Sequence, residues 1–214
     1  MVVGHNYIMP GDEPSAPSVS TGVLGADYAI ENNRYKIKRI YNRMDWNPEF
    51  KAPLAEPGLN IREGMYILAV NGKELTSDID IYSLFDFTVG KQIYLKVNDK
   101  PSLSGAKDVI VRPISFSNEV ALRRQHWVER NRKKVDELSN GQIAYVYMPN
   151  TGREGYTSFN RYYFSQMDKK ALLLDERNNG GGSVADYVID LLSRELIAGW
   201  GIRDGKSFTT PGNG

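Results

Sequence analysis

Pro57-Gly58-Leu59-Asn60-Ile61-Arg62-Glu63-Gly64-Met65-Tyr66-Ile67-Leu68-Ala69-Val70-Asn71-Gly72 is the stretch from which the fold is read. Met65–Val70 is an apolar run bounded by turn residues, which predicts a strand. Asn71-Gly72 directly after it predicts a hairpin, because both central positions of a type I′ turn need positive φ. Working outward, Arg34–Tyr41, Gln92–Val97 and Asp108–Ile114 are further strand-like runs rich in β-branched or aromatic residues. Ser77-x-x-Asp80 has the form of a capping box, and Ile81, Leu84 and Phe85 follow at helical spacing. About five short strands, with a helix before the penultimate one, predict a small, partly open β-barrel over residues 21–116. Residues 1–20, with Pro10, Gly11, Pro14, Ser15, Pro17 and Ser18, read as a linker.

The pattern changes after this barrel. Residues 117–140 predict a charged connecting helix with Val120, Trp127, Val128, Val135 and Leu138 on one broad face, ending at Asn140-Gly141. Over residues 141–214 strand and helix patterns alternate. Gln142–Met148 predicts a strand and Tyr156–Met167 a helix carrying Phe159, Tyr162, Tyr163 and Met167. Ala171–Asp175 predicts a strand buried on both faces, and Val184–Leu196 a second helix. This βαβα order argues for an α/β layer with parallel strands. Two parallel strands are few for an independent core, so the α/β part is expected to be incomplete within these 214 residues.

Composition narrows the function classes. Lys and Arg number 27 against 26 Asp and Glu, so no sequence-wide field favours nucleic acid or an anionic membrane. No apolar run approaches the length of a spanning helix, and Met1–His5 lacks the pattern of a signal peptide. The chain has no cysteine, which excludes disulfides, thiolate metal sites and a cysteine nucleophile. Its two histidines have no zinc-ligand spacing, so no metal is expected.

The chemistry concentrates in Leu174-Asp175-Glu176-Arg177-Asn178-Asn179-Gly180-Gly181-Gly182, which joins the predicted buried strand to a helix N-terminus. Backbone N–H groups converge there, and glycines let an oxyanion approach them. A tight strand–helix turn or a non-catalytic anion site is the alternative reading. Ser183-x-x-Asp186 has a capping-box pattern and lacks the G-x-S-x-G elbow of a nucleophile. His126, among charged neighbours, reads as a solvated surface residue, and His5 sits in Gly4-His5-Asn6-Tyr7. Gly22-Val23-Leu24-Gly25, before the first barrel strand, presents N–H groups suited to a peptide carboxylate; a plain hairpin loop is the alternative.

Taken together, these residues resemble a known family. Pro57–Gly72 is similar to the core signature of PDZ domains. Asp175–Gly182 and Tyr156–Phe164 resemble the catalytic core of the tricorn-type branch of the C-terminal-processing serine peptidases, and Gly4–Tyr7 its histidine motif. The resemblance implies a fold of mixed α+β and α/β class: a PDZ-like barrel with one or two helices, then a partial ClpP/crotonase-like βαβα core. It implies peptide hydrolysis through an acyl-enzyme, with His5 as general base and the Gly182 N–H, or less readily that of Gly181, in the oxyanion hole. Val23, Leu24, Gly25 and Ala26 would be the peptide-binding loop, although they depart from the usual G-[LF]-G-[FL] form. The nucleophilic serine and relay glutamate are expected beyond Gly214, so residues 1–214 alone are expected to be inactive. The position of a P1-selecting acid falls near Trp200, which argues against a basic preference.

The same resemblance implies no cofactor, a peptide substrate, no nucleic-acid or membrane partner, and a homo-hexamer. It also implies a bacterial source and a cytoplasmic setting, or a periplasmic one if the parent carries a signal peptide. A non-enzymatic PDZ-type peptide-binding adaptor is the rival reading, and an anion-binding module at Asn179–Gly182 a weaker one.

Overall fold

The computed structural model describes residues 8, 11, 12, 14, 18–41 and 52–212. The chain forms two compact units, Met1–Arg124 and Gln125–Gly214.

In the first unit, strands β1 (Ala26–Glu31), β2 (Arg34–Ile40), β3 (Tyr66–Val70), β4 (Lys73–Glu74), β5 (Ile93–Asn98) and β6 (Lys107–Val111) form one sheet. Its order is β1-β2-β3-β5-β6 with β4 on β3, and every pairing is antiparallel. Strand β5 shows the alternation that a one-sided core demands: Ile93, Leu95 and Val97 are buried, while Tyr94 and Lys96 point away. Strand β3 is buried along its whole length, which explains its unbroken apolar run. The core joins Leu24, Ile37, Ile67, Leu95 and Phe85 with Leu122, which comes from helix α1 (Phe116–Leu138).

The hairpin after β3 forms as expected, with Asn71 and Gly72 at φ 48° and 81°. Strand β1 was not anticipated: Asp27 and two alanines weaken its pattern, and Asn32-Asn33 (φ 53° and 60°) turns it into β2. The segment expected as a helix after Ser77 is instead a 3₁₀ turn, Ile81–Phe85. Its cap is Asp80, whose carboxylate accepts the Tyr82 N–H, so the box read from Ser77 does not form.

In the second unit, β7 (Ile143–Tyr147) and β8 (Ala171–Asp175) pair in parallel, separated by α2 (Arg153–Phe164) and followed by α3 (Ala185–Leu192). Phe159, Val146, Met148, Val188 and Leu191 form the core of this unit. Three expectations are corrected. Strand β8 is not buried on both faces, since Leu173 is 43% exposed. Val120 and Leu138 do not share the buried side of α1 with Val128; both are exposed. Helix α3 is capped at Val184 without any side-chain bond, so Ser183 is not the cap. A short antiparallel pair, β9 (Ala198–Trp200) and β10 (Phe208–Thr210), closes the described chain.

Removing a fully buried side chain from the first core tests this packing. Ile67→Ala is expected to destabilise the unit by about 2–5 kcal/mol in urea unfolding. Ile30→Ala, at an exposed position of β1, should stay within about 0.5 kcal/mol.

Candidate functional site

The glycine turn lies between β8 and α3, and a buried carboxylate anchors its start. Asp175 ends β8 and accepts hydrogen bonds from Tyr145 Oη (2.6 Å), from Arg177 Nε (2.9 Å) and from the Arg177 N–H (3.1 Å). The Arg177 guanidinium in turn lies 4.8 Å from the centre of the Trp127 ring. These bonds, the Arg177 contact foremost, outweigh burial and hold the Asp175 carboxyl at about 2. Burial and the Asp175 bond push the Tyr145 hydroxyl up to about 12, so it remains a donor at neutral pH.

Beyond Arg177 the turn is laced to the segment after β7. Gly180 donates to the carbonyl of Pro149 (3.0 Å), Thr151 donates to Gly181 O (2.9 Å), and Val184 donates to Thr151 O (2.7 Å). Asn150 shapes the other side, its Oδ1 accepting the N–H groups of Gly152 (2.9 Å) and Gly155 (3.0 Å). The Gly181 N–H is engaged by Asn179 Oδ1 at 2.7 Å. The Gly182 N–H has no protein acceptor among the described residues. Gly182 adopts φ +142°, and a Cβ there would lie 2.3 Å from the carbonyl carbon and oxygen of Thr151. Only glycine meets both conditions.

His5 lies outside the described residues. His126, expected to be a solvated surface residue, is partly buried on α1. Trp200 is exposed on β9, where its Nε1–H donates to Thr210 Oγ1 and its ring stacks on Phe208. Among the described residues no cluster of His, Asp and Glu is arranged to hold a metal, and no helix is long and apolar enough to cross a membrane.

The second candidate site is the loop entering β1. Val23 is tied to Ile114 through both its N–H and its C=O. Gly25 adopts φ +68°, which turns its N–H away from the sheet and onto the Glu119 carboxylate at 2.9 Å. Leu24 is buried in the core, and its N–H has no protein acceptor among the described residues. Ala26 begins β1, whose other edge carries no strand partner among the described residues.

Residues 22–115 match the tricorn protease PDZ domain. A chain described as a tricorn-like protease C-terminal subunit, from Sulfurisphaera tokodaii, is 33% identical over 210 residues. This is a tricorn-type chain. The first alignment takes in 97% of this chain and 23% of that relative. Tricorn protease homolog 1 of Streptomyces coelicolor is 30% identical over 96% of this chain and 19% of its own length. The crystal structure of the tricorn protease superposes with a TM-score of 0.77 at 25% identity, covering 91% of this chain and 18% of that one. The tricorn-type chain therefore spans roughly a fifth of these relatives, which come from archaea and bacteria alike, so the resemblance does not point to bacteria alone.

Asn150 and Glu119 were not singled out from the sequence, and Asn179 was read only as part of the glycine turn, yet each holds a loop N–H. The available signal was weak: asparagines beside glycines after predicted strands, where side-chain carbonyls commonly close turns.

Two measurements test the turn. The folded pKa of Asp175 lies below the ordinary 3.8, so its stabilising contribution is present above about pH 4 and is lost as pH falls towards 2. Asp175→Asn should flatten the stability profile across that window in acid titrations followed by circular dichroism. Gly182→Ala should cost about 1–3 kcal/mol and shift the Thr151 amide resonance. Gly181→Ala meets open space but also a positive φ of +82°, so it should cost less than Gly182→Ala without being neutral.

Proposed function

We infer that residues 1–214 are part of a serine peptidase that cleaves peptides through an acyl-enzyme, with the PDZ domain recognising or gating the chain to be cut. The observation that carries this reading is the N–H of Gly182, an exposed residue, without a protein acceptor among the described residues and on a turn held from both sides. The tricorn-type relatives, all named as proteases, agree with it.

In the proposed reaction a serine outside residues 1–214 attacks the scissile carbonyl carbon, and His5 takes the hydroxyl proton. The carbonyl π electrons move to oxygen, and the Gly182 N–H donates to that oxyanion. Collapse of the intermediate breaks the C–N bond, and His5 returns the proton to the leaving amine. Water then attacks the acyl-enzyme by the same route. Gly181 is less suited to the donor role because Asn179 already engages its N–H. Val23–Ala26 and the open edge of β1 would receive an extended peptide by strand addition. Neither a metal nor an organic cofactor takes part, and assembly into a hexamer would bring several such sites together.

Labelling the full-length protein with a fluorophosphonate probe tests this. One serine should be modified, with residues 1–214 alone unlabelled, and His5→Ala should slow labelling at least about a hundredfold. A folded full-length protein that takes no label and cleaves no peptide would replace the peptidase with a peptide-binding adaptor.

A further inference from the structure

The start of β1 is already bonded to something that has the form of a peptide end. The Gly25 N–H donates to Glu119 Oε2 at 2.9 Å, and one residue later Arg123 Nη2 donates to the Ala26 carbonyl at 3.3 Å. Glu119 is a carboxylate only 4% exposed. Its Oε1 accepts from Arg123 Nε and Nη2 at 2.9 and 2.7 Å. Arg123 Nη1 completes the cluster on Asp27 Oδ1 (2.6 Å) and Tyr41 Oη (2.8 Å). Helix capping does not account for the position of Glu119, because Ser115 Oγ caps α1 by accepting the Asn118 N–H. The Glu119 side chain is turned instead to the loop.

A peptide that adds a strand with its C-terminus at such a loop supplies two groups. Its carboxylate accepts from the loop N–H groups, and its last N–H donates to the first carbonyl of the strand. Glu119 and Arg123 supply that same acceptor and that same donor, four residues apart on one face of α1. We propose that the Glu119–Arg123 pair is an internal replica of a peptide C-terminus, filling in cis the carboxylate seat of the Val23–Ala26 loop. A C-terminal carboxylate then enters only by displacing it.

Charge reinforces the exclusion. Arg123 and Arg39 together offset the carboxylates of Glu119 and Asp27, so the occupied seat offers a further carboxylate no net attraction. Without Glu119, Arg123 and Arg39 outnumber Asp27, and the Gly25 and Leu24 N–H groups are both open to one incoming anion. The inference rests on the reading of this loop as a peptide-binding element.

The test follows the Gly25 amide resonance in the ¹⁵N-labelled chain during titration with acetate, then with one peptide as its free acid and as its C-terminal amide. The wild-type chain should show no saturable acetate shift at Gly25 and no preference for the free acid. Glu119→Ala should show the saturable shift and bind the free acid at least about tenfold more tightly than the amide. Glu119→Gln, isosteric and uncharged, should change in the same direction by less and serves if the alanine variant does not fold. A free-acid preference with a Gly25 shift in the wild-type chain overturns the proposal, as does a folded Glu119→Ala chain without acetate binding at Gly25. Acetate binding without peptide binding in that variant upholds the seat and removes the peptide-binding reading of the groove.

Discussion

Asp175 carries its charge out of water at the end of β8, where Tyr145 and Arg177 replace its hydration. A buried carboxylate is tolerable only when such partners are placed accurately. Three otherwise separate pieces therefore hold one another: the middle of β7, the end of β8 and the first residues of the turn. Arg177 can serve because Trp127 supports its guanidinium from α1. The direction in which the chain leaves β8 follows from this, and with it the place where the glycines pass Thr151.

The glycine turn then divides its donors. Gly180 and Gly181 give their N–H groups to Pro149 and Asn179, which makes the turn rigid, and Gly182 keeps its own. In the proposed reaction such a donor needs no rearrangement when the charge develops, because its neighbours are already satisfied. In the PDZ unit a second buried carboxylate, Glu119, reaches back across sequence to a glycine N–H. Here the donor is engaged rather than open, and α1 does the engaging. Both loops contain glycines, and they differ in the state in which their N–H groups are left.

The strands were legible wherever burial imposes a simple pattern. Ile93, Leu95 and Val97 alternate, β3 is continuously apolar, and Asn71-Gly72 announces its turn. Strand β1 was not legible, because an edge strand with an ion pair at Asp27 does not need an apolar face along its length. The boxes read at Ser77 and Ser183 failed for a related reason: local capping competes with tertiary bonds. Ser77 bonds to Asn33, leaving Asp80 to cap the 3₁₀ turn, and beside Ser183 the Val184 N–H goes to the backbone carbonyl of Thr151. Leu173 reads as core by composition, yet it lies on a face of β8 that these residues do not cover.

By itself the sequence determined strands β2, β3, β5 and β6, the β7-α2-β8-α3 alternation, the PDZ signature and the glycine turn, because periodicity and turn chemistry act over a few neighbouring residues. It also placed Gly182 last in that turn. Which N–H groups stay open, and which are taken by Asn179 or Glu119, was decided only by the tertiary structure. Those partners are chosen by distance in space, and Glu119 lies 94 residues from Gly25 along the chain.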